Sequence, residues 1–146
     1  MESHPEEALA VPLAGGKLLA AISTSIVAIL REHYGRGPMK AKTYALDDMI
    51  VVVMRGSGFT PLEQTIIDSG EPERVVAMRH DFQRMMRKRF TDTIEKLTGR
   101  QVLAFLSQAH VEPDLTIETF LLDYPLDGVL PNDNQPRAVD LVAPAL

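Results

Sequence analysis

Two residues of this 146-residue chain sit where their chemistry cannot be ignored: Arg79 and Gln83, four positions apart in a segment whose apolar side chains recur at helical spacing. On a wheel of about 100° per residue, Val75, Met78, Phe82, Met86, Phe90, Ile94 and Leu97 share one broad face, and Arg79 and Gln83 fall inside it. A guanidinium on such a face needs a partner, because an isolated charge in a low-dielectric interior is costly. Two kinds of partner are open. One is an acid or carbonyl of the same chain, bracing helix against sheet; the other is an external anion or a partner's carboxylate, held by Arg79 with Gln83 assisting. Bicarbonate suits the second geometry, although no residue selects it.

Other groups offer weaker chemistry. Arg84, Arg87, Lys88 and Arg89 lie mostly on the polar side of the same segment, interleaved with Asp81, Asp92 and Glu95. That pattern fits a solvated face with i,i+4 pairs, or a phosphate-contacting helix for nucleic acid or anionic lipid. No recognised nucleic-acid motif accompanies it, so a nucleic-acid-binding or transcription-associated domain ranks second. His33, His80 and His110 could join Asp47, Asp48, Asp114 or Glu118 as ligands, but no metal spacing such as His-x-x-x-His is present and no metal or cofactor is expected. Ser57 is not in a nucleophile elbow, and Gly56-Ser57-Gly58 lacks the Lys-Ser/Thr that completes a phosphate loop. No catalytic residue emerges.

The composition narrows the classes further. Cysteine is absent, which removes disulfides, thiolate metal sites and a cysteine nucleophile together. The net charge of -5 belongs to the two ends: residues 1–16 carry Glu2, Glu6 and Glu7, and residues 123–146 carry four Asp against Arg137. Between them, 14 basic and 13 acidic side chains nearly cancel, so long-range attraction to nucleic acid or lipid is not built in. The longest apolar run, Leu18 to Leu30, contains three hydroxyl residues and falls short of the ~20 apolar residues a bilayer needs. It reads as a buried helix, no transmembrane segment is expected, and the acidic opening Met1-Glu2-Ser3-His4-Pro5 argues against export. A cytoplasmic location is expected.

The elements that must position these groups can be read in order. Leu19, Ile22, Ile26, Ile29 and Leu30 recur at three- and four-residue steps, predicting a helix from about Lys17 to Tyr34 that stops at Gly35. Met39–Leu46 and Met49–Arg55 flank Asp47-Asp48 and read as a hairpin. With a two-residue loop, Leu46 pairs with Met49 and one face carries Met39, Ala41, Thr43, Ala45, Ile50, Val52 and Met54 as core. The other face carries Lys40, Lys42, Tyr44, Leu46, Met49, Val51, Val53 and Arg55, apolar near the turn and basic at the far end. Such a sheet needs a second layer, supplied by the first helix or by a dimer or partner. Lys40 and Lys42 are the residues for which that surface would be used.

Thr60-Pro61-Leu62-Glu63 is a capping-box start for a short helix ending near Gly70. A long helix follows from about Pro72 to Thr98 and stops at Gly99. Two further strands, Gln101 to Ala109 and Leu115 to Leu122, form a second hairpin. The expected fold is α+β: a four-stranded, mainly antiparallel sheet of two hairpins packed with two long helices and one short one. Residues 1–16 read as a flexible acidic lead, 17–122 as the domain, and 123–146, rich in Pro and Asp, as a disordered tail.

Four blocks then stand out in order: Gly35-Arg36-Gly37-Pro38; Asp47-Asp48-Met49-Ile50; Thr60-Pro61-Leu62-Glu63; and Arg79 with Phe82-Gln83, Phe90, Leu97-Thr98-Gly99-Arg100 and His110 before Pro113-Asp114. Over about residues 17 to 122 the chain resembles the MpsC (YbcI-like) family, one departure being an extra small residue in Gly56-Ser57-Gly58-Phe59. The resemblance implies the small soluble component of a bacterial, sodium-translocating, membrane-potential-generating system, whose membrane partners are associated with cation and inorganic-carbon transport. It supplies no catalytic residues. The expectation is therefore a non-enzymatic accessory or regulatory protein, acting as a homodimer and binding an integral membrane transport component through its sheet or basic-helix surface. A small-anion sensor centred on Arg79 is a third reading. The candidate anion- or partner-binding residues are Arg79, Gln83, Lys40, Lys42, Arg84, Arg87 and Lys88.

Overall fold

The computed structural model describes residues 13–129. Helix α1 (Gly15–Tyr34) buries Leu18, Leu19, Ile22, Ile26, Ile29 and Leu30, the stripe expected of it. It ends where Gly35 turns left-handed at φ 84°, a conformation that a side chain would strain. Strands β1 (Lys40–Leu46) and β2 (Met49–Arg55) pair antiparallel with Leu46 opposite Met49, so the loop is the two-residue Asp47-Asp48, with Asp47 at φ 53°. Helix α2 (Pro61–Asp68) carries the complete capping box. Helix α3 (Pro72–Thr98) runs 27 residues and stops on left-handed Gly99. Strands β3 (Val102–His110) and β4 (Leu115–Leu122) follow, with an irregularity between Val102 and Ala104 that leaves Leu103 exposed.

The sheet order is β1-β2-β4-β3 and every pair is antiparallel. Chain-last β4 is thus an interior strand, with Val52 of β2 on one side of Glu118 and Ser107 of β3 on the other. Helices α1 and α3 pack side by side on one face, closing a core of Ile22, Ile26, Ile50, Val52, Met54, Phe90, Ile94, Phe120 and Leu122. Phe105 bridges this core by lying 5.8 Å from Phe90 and 5.0 Å from Phe120, centroid to centroid.

Three expectations are corrected. Met39 does not join the core face; it precedes β1, is 85% exposed and lies over Gly56. Met78 is also exposed, because Arg79, Phe82, Gln83, Phe90 and Ile94 centre the buried arc of α3 about 100° away from it. The first helix does not cover the face of Lys42, Tyr44, Val51 and Val53: the Ser23 hydroxyl of α1 meets the Thr43 hydroxyl at 2.7 Å, on the opposite side of β1. After β4 the chain stays on the domain through Leu126, which packs on the core, and through Arg100, which bonds the Pro125 carbonyl and Asp127. The expected lead falls, up to residue 12, outside the described residues, as does the expected tail from residue 130 onward.

Candidate functional site

The partner of Arg79 is Glu63. Glu63 is the third residue after the α2 cap, so its Oε1 accepts from the Thr60 backbone N–H at 2.9 Å while the Thr60 hydroxyl accepts from the Glu63 N–H at 3.1 Å. That cap fixes the carboxylate pointing inward, where Arg79 grips it with two donors, Nε to Oε2 at 2.9 Å and Nη2 to Oε1 at 3.1 Å. Tyr34, at the end of α1, donates its hydroxyl to the same Oε2. Arg79 Nη2 also donates to the Gly58 carbonyl at 2.9 Å, and the Gly58 N–H donates to Asp114 Oδ2 at 2.8 Å. The glycine-containing loop is thereby tied to α3 and to the start of β4. The guanidinium lies over the rings of Phe59 and Tyr34 at 4.8 and 5.5 Å.

Both charged side chains are nearly buried, Arg79 at 7% and Glu63 at 1% exposure. Burial works against the Glu63 charge, but hydrogen bonds from Arg79, Tyr34 and Thr60 outweigh it and hold the carboxyl below its ordinary value. Burial likewise opposes the Arg79 charge, and Glu63 overcomes it and raises the guanidinium. The Tyr34 hydroxyl is pushed up to about 12 by burial and by the Glu63 carboxylate beside it. The two charges cancel inside the chain, and the Nε and Nη2 donors of Arg79 are engaged by Glu63 and Gly58. A cavity of about 30 Å³ adjoins the cluster, lined by Tyr34, Ser57, Arg79, Gln83 and Thr116, with room for about one water.

Gln83 is buried, and its Oε1 has no hydrogen-bond partner among the described residues. It lines a cleft of about 260 Å³ between α3 and β3 together with Arg79, His80 and Ser107. Opposite Ser107, on β4, lies Glu118, fully buried, with neither carboxylate oxygen within hydrogen-bond geometry of a partner among the described residues. Burial pushes the Glu118 carboxyl up to about 8, against a smaller opposing contribution from the Ser107 hydroxyl. Glu118 is held as a neutral acid in the core at neutral pH. Asp114 Oδ1 is the remaining orphaned buried acceptor among the described residues.

The basic helix face is largely self-paired. Arg84 meets Asp81 at 2.5 Å, Lys88 meets Asp92 at 2.7 Å, and Arg89 reaches His33 at 2.8 Å. Arg87 is exposed, with no ion pair among the described residues. Lys40 and Lys42 are remote from all of this, on the uncovered face of the sheet, where the Lys42 ammonium sits 5.3 Å from the Tyr44 ring centre. The structure therefore separates the sequence-derived candidates into three places: Arg79 and Gln83 in the core, Arg84, Arg87 and Lys88 on the outer side of α3, and the two lysines on β1. His33, His80 and His110 are dispersed, and no group of three His, Asp or Glu among the described residues is arranged to hold a metal.

Residues 14–124, which span all seven elements, match the family model described as Na+-translocating membrane potential-generating system (MpsC). The chain belongs to the MpsC family. No curated protein and no solved structure is similar enough to match it. In this MpsC domain the blocks that drew attention in the sequence have structural work: Gly35 ends α1, Asp47-Asp48 turns the first hairpin, Thr60 and Glu63 cap α2, and Gly99 ends α3. Glu118 was missed because β4 is apolar on both sides, so alternation alone does not say which side is core.

Proposed function

We propose that this chain is a non-enzymatic, cytoplasmic component of a Na+-translocating membrane-potential-generating system, working as a homodimer that docks on an integral membrane partner. The observation that supports it most is the match to the MpsC family across the whole described domain. Moving an ion across a bilayer needs a spanning path. No helix among the described residues is long and apolar enough to cross a membrane, which assigns that path to another chain in this reading. The buried polar groups fit a scaffold better than an active site: the Arg79–Glu63 pair is charge-balanced within the chain, and Glu118 lies wholly inside the core. The pairing of Arg84 and Lys88 with acids of their own helix weighs against a phosphate-binding surface.

In-cell crosslinking of the tagged chain, with and without nuclease, followed by mass spectrometry of what is retained, tests this reading. Enrichment of one integral membrane transport protein that survives nuclease is the expected result. Nuclease-sensitive recovery without membrane proteins would replace it with the nucleic-acid reading.

A further inference from the structure

The register of the four strands places the uncovered side chains in a grid. Its rows are Lys40, Arg55, Leu115 and His110; Lys42, Val53, Ile117 and Gln108; Tyr44, Val51, Thr119 and Leu106; and Leu46, Met49, Leu121 and Ala104. The core residues all lie on the other side, under α1 and α3. No described helix packs on the grid, although its last row is wholly apolar.

Two features say what covers it. The first is charge. No position of the grid is acidic, and its three permanent cations, Lys40, Lys42 and Arg55, cluster at the open end of the β1–β2 hairpin. The acidic Asp47-Asp48 turn closes the other end of that same hairpin. Glu112, in the β3–β4 turn, lies at the same end of the strands but at the opposite edge of the sheet from β1. A second copy, turned about a two-fold axis lying in the face and perpendicular to the strands, sets its hairpin antiparallel over the first. Each Asp47-Asp48 turn then lies beside the other copy's Lys40 and Arg55, with Lys42 one row further in, and the apolar centres coincide. A two-fold along the strands would instead lay each β1–β2 hairpin over the partner's β4 and β3, setting Lys40, Lys42 and Arg55 against grid positions His110, Gln108 and Leu115, none of them acidic.

The second feature is area. Four strands about 4.8 Å apart and seven residues long at about 3.3 Å each give a face of roughly 20 by 23 Å. Two such faces bring together roughly 900 Å² in projection, and more in accessible surface, near the ~1,000 Å² that a specific interface requires.

We infer that a second copy of this chain covers the open sheet face, in a two-fold sandwich whose hairpins run antiparallel and exchange Lys/Arg–Asp contacts. This deepens the homodimeric reading and rests on it.

Sedimentation velocity of the full chain at low salt, across micromolar concentrations, supplies the test. The wild type is expected to be a dimer. Val51→Glu, which sets a charge at the grid's centre, should give a folded monomer by circular dichroism. Lys40→Glu and Asp48→Lys should each weaken dimerisation roughly tenfold, because two-fold symmetry counts each lost contact twice. The double variant should recover most of the loss, since the swapped charges again face each other across the axis. A monomeric wild type would overturn the dimeric reading itself. A dimer unaffected by Val51→Glu would leave the dimer standing and overturn this interface. Should Val51→Glu fail to fold, the charge-swap series still decides, and failure of the double variant to recover refutes the antiparallel arrangement.

Discussion

Glu118 offers the sharpest quantitative check on this structure. Its carboxyl is fully buried in the middle of the sheet and is pushed up from an ordinary 4.5 to about 8. Between those two values the folded chain holds a proton that the unfolded chain has released. Stability must therefore fall as pH rises through that window and level off above it. At about 1.36 kcal/mol per unit, a span from 4.5 to about 8 amounts to roughly 5 kcal/mol, a large part of the 5–15 kcal/mol typical of a domain. Replacing the acid by its neutral isostere, Glu118→Gln, removes the titration while keeping the shape. Urea unfolding of both proteins from pH 5 to 8.5 should show nearly equal stability at the acid end and a growing advantage for the variant, approaching several kcal/mol, toward pH 8. Taking the difference between the two proteins cancels every other titrating group. A constant difference across the range would mean that Glu118 is ionised and compensated in the native state, and the account of a buried carboxyl held neutral would be wrong.

Further consequences can be measured with the same material. Glu63→Ala leaves the Arg79 guanidinium buried without its carboxylate and should cost about 3–5 kcal/mol in urea unfolding, more than the ~1 kcal/mol expected from loss of the α2 cap alone. Because Glu63 is held below its ordinary value, its contribution is present at neutral pH and is lost as pH falls through its folded value, the opposite direction to Glu118. Tyr34→Phe removes one donor to Glu63 and should destabilise by about 1–2 kcal/mol while shrinking that acid-side dependence. Millimolar bicarbonate should leave the melting temperature unchanged, because the Glu63 carboxylate already neutralises the nearly buried Arg79 guanidinium; a saturable upward shift, abolished in a folded Arg79→Lys protein, would show an anion site after all. Phe90→Ala, at a fully buried ring packed toward Phe105, should cost about 3–5 kcal/mol in urea unfolding.

The sequence by itself determined what is local. Helical periodicity set α1 and α3, glycines at left-handed positions ended them, and the Thr60–Glu63 pair opened α2, while the hairpin's register followed only if its loop had two residues, as the structure has it. It also showed that Arg79 faces inward, because 100° per residue leaves that side chain no other direction. These are properties of neighbours a few residues apart, governed by backbone geometry and short-range hydrogen bonds.

Only the tertiary structure decided which acid meets Arg79. Glu63 was legible as half of a capping box, yet its second role depends on how α2 lies against α3, sixteen residues further along. The same holds for Glu118, since a strand with apolar residues on both sides becomes one-sided only when helices choose a face. The order β1-β2-β4-β3 makes β4 an interior strand and so buries that carboxyl between Val52 and Ser107. The placement of α1 and α3 together on one side leaves the grid of Lys42, Val51, Val53 and Ile117 without a described layer. Chain-distant packing makes these choices, and periodicity, which is the same for either face of a sheet, carries no sign from which to read them.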